Sequence, residues 1–143
     1  MHSQARASNT AGNHAFWPVP VVCAALLAGC GGPSPPDDTE ARTVIEQFTQ
    51  QLRTGEIDAA WESTTADFKS DEGRESFRAF VQQRDVLSRP LDFEELRQIE
   101  IHGLMRWEGV LRPSGDSETP STSVRVMIAQ ENDVWKVDRL VVE

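Results

Sequence analysis

The sequence predicts an α+β protein in which three N-terminal helices pack on a four-stranded antiparallel sheet. Two patterns of hydrophobicity indicate this class. Apolar residues recur at steps of three or four up to about Gln83, and from Phe93 onward they alternate with polar residues at every second position. A charged segment that is closed by a proline, 84–90, separates the two patterns and ends the helical part.

A separate apolar segment precedes this domain. Phe16–Leu27 is a run of twelve residues, which suits the hydrophobic region of a signal peptide and is shorter than the roughly 18 residues that a membrane-spanning helix needs. The run ends in Leu27-Ala28-Gly29-Cys30, which resembles a bacterial lipobox. This resemblance implies that residues 1–29 are a lipoprotein signal peptide and that Cys30 becomes the lipidated first residue of the mature protein.

Two other interpretations of these residues are an ordinary signal peptide cut near Ala28 and a cysteine that falls by chance in a buried helix. The following residues favour lipidation, because 31–38 are rich in glycine, proline and aspartate and predict an extended, solvated spacer. We therefore divide the chain into a signal peptide (1–29), a lipidated cysteine with its tether (30–38) and a folded domain (39–143). This organisation predicts a lipid-anchored protein at the cell membrane or outer membrane, facing the periplasm or the cell exterior.

Composition limits the partners of the domain. All 23 acidic residues, and all but one of the 14 basic residues, lie beyond residue 29, which leaves a net charge of about −10. An acidic surface repels phosphate backbones, so we expect no nucleic-acid partner. Cys23 lies in the segment that would be removed, and His102 is the one histidine that would remain. We therefore expect no disulfide, no metal site and no cofactor.

An amphipathic pattern predicts the first helix, with Asp38 or Thr39 as its N-cap and Gly55 at its C-terminal end. A second helix is predicted over Ile57–Thr65, and a third over about Glu72–Gln83. The residues expected on the buried faces of these helices are Ala41, Val44, Ile45, Phe48, Leu52, Ile57, Ala60, Trp61, Phe77, Phe80 and Val81.

Alternation of apolar and polar residues predicts four strands after Phe93. Gly103 is expected at the turn between the first two strands, 113–120 in a polar loop, and 131–133 in the tight turn before the last strand. The final apolar residues change parity, so we expect a bulge near Arg139 or burial of both faces. The residues expected on the buried face are Ile99, Ile101, Met105, Trp107, Leu111, Val124, Val126, Ile128, Trp135, Val137 and Val141.

Two segments make the chain resemble the NTF2-like superfamily. One is Leu52–Trp61 (LRTGEIDAAW), around the turn between the first two helices, and the other is Asp133–Asp138 (DVWKVD) in the last strand. The resemblance covers about Glu40–Glu143. It implies a sheet that curves around the helices into a cone with a pocket at its open end, and a sheet or sheet edge that serves in dimerisation. Similar domains of the SnoaL and ketosteroid-isomerase type, several of unknown function, occur in bacterial lipoproteins.

Five residues besides a histidine are candidates for lining such a pocket. Arg106, Glu108 and Arg125 lie on predicted strands, where an arginine and a carboxylate on one face would hold an anionic ligand. The alternative is that they form cross-strand ion pairs on the solvent face. Trp61 and Trp107 either belong to the core or line the mouth of the pocket.

The role of His102, the sixth candidate, decides between two classes of function. As a general base it would need an orienting carboxylate such as Asp85 or Glu108, and as a polar strand residue it would face solvent. The ketosteroid-isomerase type implies a phenolic donor, usually tyrosine, and the chain contains no tyrosine. We therefore expect no catalytic residue. The predicted function is a non-catalytic binding or protein-interaction module for a small apolar or anionic ligand, an envelope protein or a second copy of itself. The alternative is a small lyase or isomerase that uses His102 and a nearby carboxylate.

Replacement of Cys30 by serine tests the lipid anchor. It removes the thiol that forms the thioether to diacylglycerol, so the variant should leave the membrane fraction or accumulate as an uncleaved precursor. Each buried methylene contributes about 0.8 kcal/mol, which makes two or more acyl chains a stable anchor. Metabolic labelling with a fatty acid measures the modification, and Cys23→Ser is the control that should keep the label. An unlabelled wild-type protein would contradict this prediction.

Overall fold

The computed structural model describes residues 37–115 and 122–143. The predicted signal peptide, Cys30 and residues 31–36 of the tether lie outside the described residues, as does the loop segment 116–121. The helices are α1 (Asp38–Thr54), α2 (Ile57–Glu62), α3 (Ala66–Asp71), α4 (Arg74–Gln82) and a 3-10 helix (Asp85–Ser88). The strands are β1 (Leu91–Ile101), β2 (Leu104–Pro113), β3 (Val124–Glu131) and β4 (Val134–Val142).

The first predicted helix is α1, and its buried face is the expected one. Gly55 ends it in the left-handed conformation, with φ of 81°, which glycine adopts without a side-chain clash. The N-cap is Asp37 and not the predicted Asp38 or Thr39, because the extended backbone of Asp37 lets its carboxylate accept the N–H of Glu40 at 2.8 Å. The buried residues of α1 are Ala41, Ile45, Phe48 and Leu52.

The second predicted helix is too long, and a short helix that the sequence did not predict, α3, follows it. The helix α2 ends at Glu62. Thr64 then forms a parallel bridge to Val137 at the edge of β4. Thr65 has an extended backbone, with ψ of 164°, and its hydroxyl caps α3. Threonine is a weak helix former and a good N-cap, and pairing with the strand edge replaces the helical hydrogen bonds at this point.

The third predicted helix is α4, which is shorter than expected at both ends. The segment 84–90 was expected to be non-helical, and it contains the 3-10 helix, whose Leu87 is buried. The described domain therefore has four α-helices and a 3-10 helix where three helices were predicted. None of the helices within 37–115 or 122–143 is long and apolar enough to cross a membrane. The residues of α4 in or against the core are Phe77, Phe80 and Val81.

The four strands form one antiparallel sheet in the order β1-β2-β3-β4, which confirms the predicted α+β class and sheet. Both tight turns lie where they were expected. His102 and Gly103 have φ values of 53° and 78°, and Asn132 and Asp133 have values of 52° and 61°. Two-residue hairpin turns need positive φ at these positions, and Gly, Asn and Asp tolerate it best.

The bulge that was expected near Arg139 is present at Asp138. Met127 pairs with Arg139 while Ile128 pairs with Val137, so Asp138 is the extra residue of β4. After this bulge, alternate residues of β4 face the opposite side of the sheet. Val141, which was predicted on the buried face, therefore lies outside the core. The residues of β4 in or against the core are Trp135, Val137, Leu140 and Val142.

The burial of β2 differs from the prediction at two further positions. Met105, expected on the buried face, is 43% exposed just beyond the β1–β2 turn. Glu108, expected on the polar face, is only 6% exposed. Its carboxylate Oε2 accepts a hydrogen bond from Arg97 Nε of β1 at 2.7 Å, so a cross-strand partner compensates the buried charge.

Candidate functional site

A cavity of about 420 Å³ is lined by the last two α-helices and by two strands, and we call it the α3–α4 pocket. Ligand pockets commonly measure roughly 300 to 1,000 Å³, so this cavity has room for a small organic molecule. Its residues come from α3 and the residue after it, from α4, and from β2 and β4. They are Asp67, Phe68, Ser70, Asp71, Glu72, Phe77, Phe80, Arg106, Asp138, Arg139 and Leu140.

One wall of the pocket is aromatic and continuous with the hydrophobic core. Phe68 and Phe77 are buried, and their rings meet edge to face with centroids 5.5 Å apart. Phe77 also packs near Phe48 of α1, at a centroid distance of 6.4 Å. Phe80 and Leu140 are partly buried against the same core. Because core packing holds these side chains, the apolar wall is formed before any ligand enters.

The polar part of the pocket is an ion pair between two strands. Arg106 Nη1 of β2 lies 2.9 Å from Asp138 Oδ2 at the bulge of β4, and the two side chains are only 15% and 7% exposed. The other carboxylate oxygen of Asp138 accepts a hydrogen bond from Thr65 Oγ1 at 3.1 Å. Desolvation of a buried ion pair offsets much of its Coulomb attraction, so the presence of this pair is weak evidence that it stabilises the fold. The pair places a donor and an acceptor side by side, next to the aromatic wall of the pocket.

The first turn of α3 is fixed on β4 by hydrogen bonds. The N–H of Thr65 donates to the carbonyl of Val137 at 2.8 Å, and the N–H of Ala66 donates to Glu131 Oε1 at 2.7 Å. Lys136 Nζ binds the other oxygen of Glu131 at 2.5 Å. The hydrogen bond from Lys136, with that from Ala66, lowers the pKa of Glu131. These contacts position the helix that forms one wall of the pocket.

Charged side chains surround the pocket, and most of them are acidic. Asp67 and Asp71 on α3 and Glu72 just after it line the cavity together with Arg139 of β4. No ion pair involves these three carboxylates within residues 37–115 and 122–143. The pocket residues, including the Arg106–Asp138 pair, therefore carry a formal net negative charge.

Of the six sequence-predicted pocket residues, Arg106 lines the α3–α4 pocket. Trp61 lies outside it, behind the segment that joins α3 to α4. Its indole Nε1 donates to the carbonyl of Glu72 at 2.9 Å. Lys69 Nζ and Arg74 Cζ lie 5.2 and 4.7 Å from the indole ring centroid. Trp61 therefore supports the pocket wall from behind and does not line the pocket.

The other four candidates also lie outside the α3–α4 pocket. His102 is exposed on the β1–β2 turn, and Trp107 is partly buried against the core. Glu108 accepts a hydrogen bond from Arg97 of β1. Arg125 Nη2 lies 2.9 Å from Glu143 Oε2. The three charged candidates thus have three different partners, and the structure does not bring them together.

Sequence reasoning missed most of this site, because α3 was not predicted. Asp138 could have been found as a polar residue at the expected bulge, since bulges often lie next to functional sites. Within the two described ranges, no group of three His, Cys, Asp or Glu side chains is placed to hold a metal ion. The arrangement can bind a small molecule through apolar contact and a paired donor and acceptor.

Comparison with known proteins gives structural likeness but no matching family. No protein-family model matches the chain, and no curated protein matches it. Among solved structures, a variant of a protein named Rd1NTF2_05 is similar to this chain with a TM-score of 0.49 and 15% sequence identity. The match covers 76% of this chain and 100% of that one. A likeness of this degree assigns no function.

The variant Glu131→Gln tests whether the Glu131 carboxylate helps to fix the first turn of α3 on β4. Because its pKa is lowered in the folded protein, the carboxylate stabilises the fold above the ordinary glutamate pKa of about 4.3, and this contribution is lost as pH falls through the lower folded value. The variant should be less stable than wild type at neutral pH, with a difference that shrinks below about pH 4. Urea unfolding at several pH values measures it. Glu46→Gln, an exposed glutamate on α1, controls for loss of one charge, and a pH-independent difference for Glu131→Gln would contradict the prediction.

Proposed function

We propose that this protein is a lipid-anchored binding protein of the bacterial cell envelope, whose NTF2-like domain holds a small, largely apolar molecule in the α3–α4 pocket. One observation carries this proposal. The cavity of about 420 Å³ combines an aromatic wall with a largely buried donor and acceptor, Arg106 and Asp138. Concave cavities of this size that combine apolar contact with fixed polar groups are typical ligand sites.

The order of elements supports the NTF2-like part of the proposal. Helices α1 to α4 precede the strands, and the strands follow one another as an antiparallel meander, as the resemblance of Leu52–Trp61 and Asp133–Asp138 implies. The fold alone assigns no activity, so the function rests on the pocket.

The membrane anchor rests on the sequence of residues 16–38. The apolar run, the small residues before Cys30 and the Gly- and Pro-rich tether together support lipidation. The folded domain begins at α1, so the tether of a few residues would keep the domain close to the bilayer surface. A binding protein held there would capture molecules in the periplasm or at the cell surface.

A binding function is favoured over the lyase or isomerase because of where His102 lies. That side chain is exposed on the β1–β2 turn and does not line the α3–α4 pocket. A general base must lie within hydrogen-bond reach of the substrate proton that it removes. The acid in the pocket, Asp138, is already engaged by Arg106 and Thr65.

Binding of neutral apolar probes tests the proposal. Phenylbutanol and decanol, titrated into the purified protein, should shift the amide NMR signals of Phe68, Phe77 and Leu140 in a saturable way. Ser70→Trp places a large side chain at an exposed position of the pocket wall, so it should abolish these shifts or weaken binding by about tenfold or more.

Ser76→Trp on α4 is the matched control. Ser70 and Ser76 are both exposed, and each hydroxyl donates to the carbonyl three residues earlier, but Ser76 does not line the pocket. The control should therefore bind the probes as the wild type does. Absence of saturable shifts at the pocket residues, or equal binding by both tryptophan variants, would refute the proposed function.

A further inference from the structure

We infer that the α3–α4 pocket selects ligands in which an apolar or aromatic body carries a cationic group such as an ammonium, and that it rejects the corresponding carboxylates. This inference rests on the proposed function, since it names the ligand class of the same pocket. It combines three features of the described residues: the aromatic wall, the carboxylates around it that form no ion pair, and the poor placement of the two pocket arginines for binding an anion.

The first feature is the aromatic wall, which provides the hydrophobic contact. Phe68 and Phe77 are buried and Phe80 is partly buried, and all three line the cavity. Burial of apolar ligand surface against them contributes roughly 25 cal/mol per Å². Phenylalanine ring faces also attract a cation within about 6 Å of the centroid. This wall therefore accepts an apolar body and tolerates an adjacent positive charge.

The second feature is that three carboxylates of the pocket, those of Asp67, Asp71 and Glu72, have no ion-pair partner in the described part of the chain, although cations are close in sequence. Lys69 and Arg74 flank this segment, and both are paired with Glu62, on the side of Trp61. Asp71, between them, and its neighbours Asp67 and Glu72 line the cavity without an ion pair in the described part of the chain. The local cations therefore do not neutralise the pocket.

Two of these carboxylates, Asp71 and Glu72, are unfavourably placed for α3, whereas Asp67 lies in its first turn, where the helix dipole favours an acid. Asp67 and Asp71 are four residues apart on one helix, where like charges repel by roughly 0.2 to 0.5 kcal/mol. Asp71 and Glu72 lie at the C-terminal end of α3, where the helix dipole disfavours negative charge. The stability of the helix therefore does not explain Asp71 and Glu72. A cation in the pocket would relieve both repulsions.

The third feature is that the arginines of the pocket are poorly placed to attract an anion. Arg106 Nη1 is paired with Asp138, and its Nε, which has no hydrogen-bond partner among the described residues, is buried and so out of reach of a ligand. Arg139, the other lining arginine, follows the bulge residue, is exposed and is outnumbered by Asp67, Asp71 and Glu72. An incoming carboxylate would meet a net negative field from the pocket as well as from the acidic protein.

Three probes with one body and different charge test this inference. Phenylbutylamine, phenylbutanol and phenylbutyrate share the aromatic chain and differ in the head group. At low salt and neutral pH, we expect the amine to bind about tenfold or more tightly than the carboxylate, with the alcohol between them. Added salt should reduce the difference, because the carboxylates are exposed to solvent. Affinities follow from the NMR shifts of the pocket amides.

Isosteric variants locate the source of this preference. Asp71→Asn combined with Glu72→Gln should lower the ratio of amine to alcohol affinity by about threefold to tenfold. The control combines Glu75→Gln with Asp85→Asn, two exposed acids that do not line the pocket. It removes the same formal charge from the protein and should leave the ratio as in the wild type.

The outcomes separate the two proposals. If none of the three probes shifts the pocket amides, the proposed function itself is wrong. If the alcohol binds but the carboxylate binds as tightly as the amine, the pocket is a ligand site and the inferred cation preference is wrong. If both double variants lower the ratio equally, the preference comes from the overall charge of the protein, and the assignment to Asp71 and Glu72 is overturned.

Discussion

The pocket depends on the docking of α3 onto the edge of β4 through Thr65. The N–H of this residue donates to the carbonyl of Val137, and its hydroxyl both accepts the N–H of Phe68 and donates to Asp138. One side chain thus caps a helix and joins it to a strand. A helix of six residues is too short to be stable alone. The wall that α3 provides therefore exists because β4 holds its first turn.

The bulge in β4 connects this docking to the chemistry of the pocket. An extra residue at Asp138 brings a carboxylate between α3 and the β2 side chain Arg106, and it lets Leu140 pack against the core two residues later. The same irregularity therefore completes the polar part of the site and the last strand of the core. Apolar contact with the aromatic wall supplies binding energy, while the charges around it set which ligands enter. This division is common in small-molecule sites, where few polar groups determine orientation and specificity.

Elements defined by local sequence were predicted well, and elements defined by tertiary contact were not. The helix α1, its end at Gly55 and both hairpin turns follow from periodicity and from residues that tolerate positive φ. The helix α3 has little periodicity of its own, and the pairing of Thr64 with a strand more than 70 residues away creates the break before it. Likewise, parity predicted a bulge, but only the register of β3 and β4 places Asp138 in the site. The aromatic residues of α4 were expected in the core, and they also form the pocket wall, because core and cavity share one surface.

Amide hydrogen exchange in two variants of Thr65 tests the central claim most directly. Thr65→Val removes the hydroxyl that caps α3 and binds Asp138, whereas Thr65→Ser keeps it. Loss of an N-cap costs about 0.5 to 2 kcal/mol, so the amides of α3 should exchange about tenfold faster in Thr65→Val, with β2 and β3 unchanged, and phenylbutanol binding should weaken. Thr65→Ser should match the wild type in both measurements. Wild-type protection of α3 in Thr65→Val, or faster exchange of α3 with full probe binding, would contradict the account.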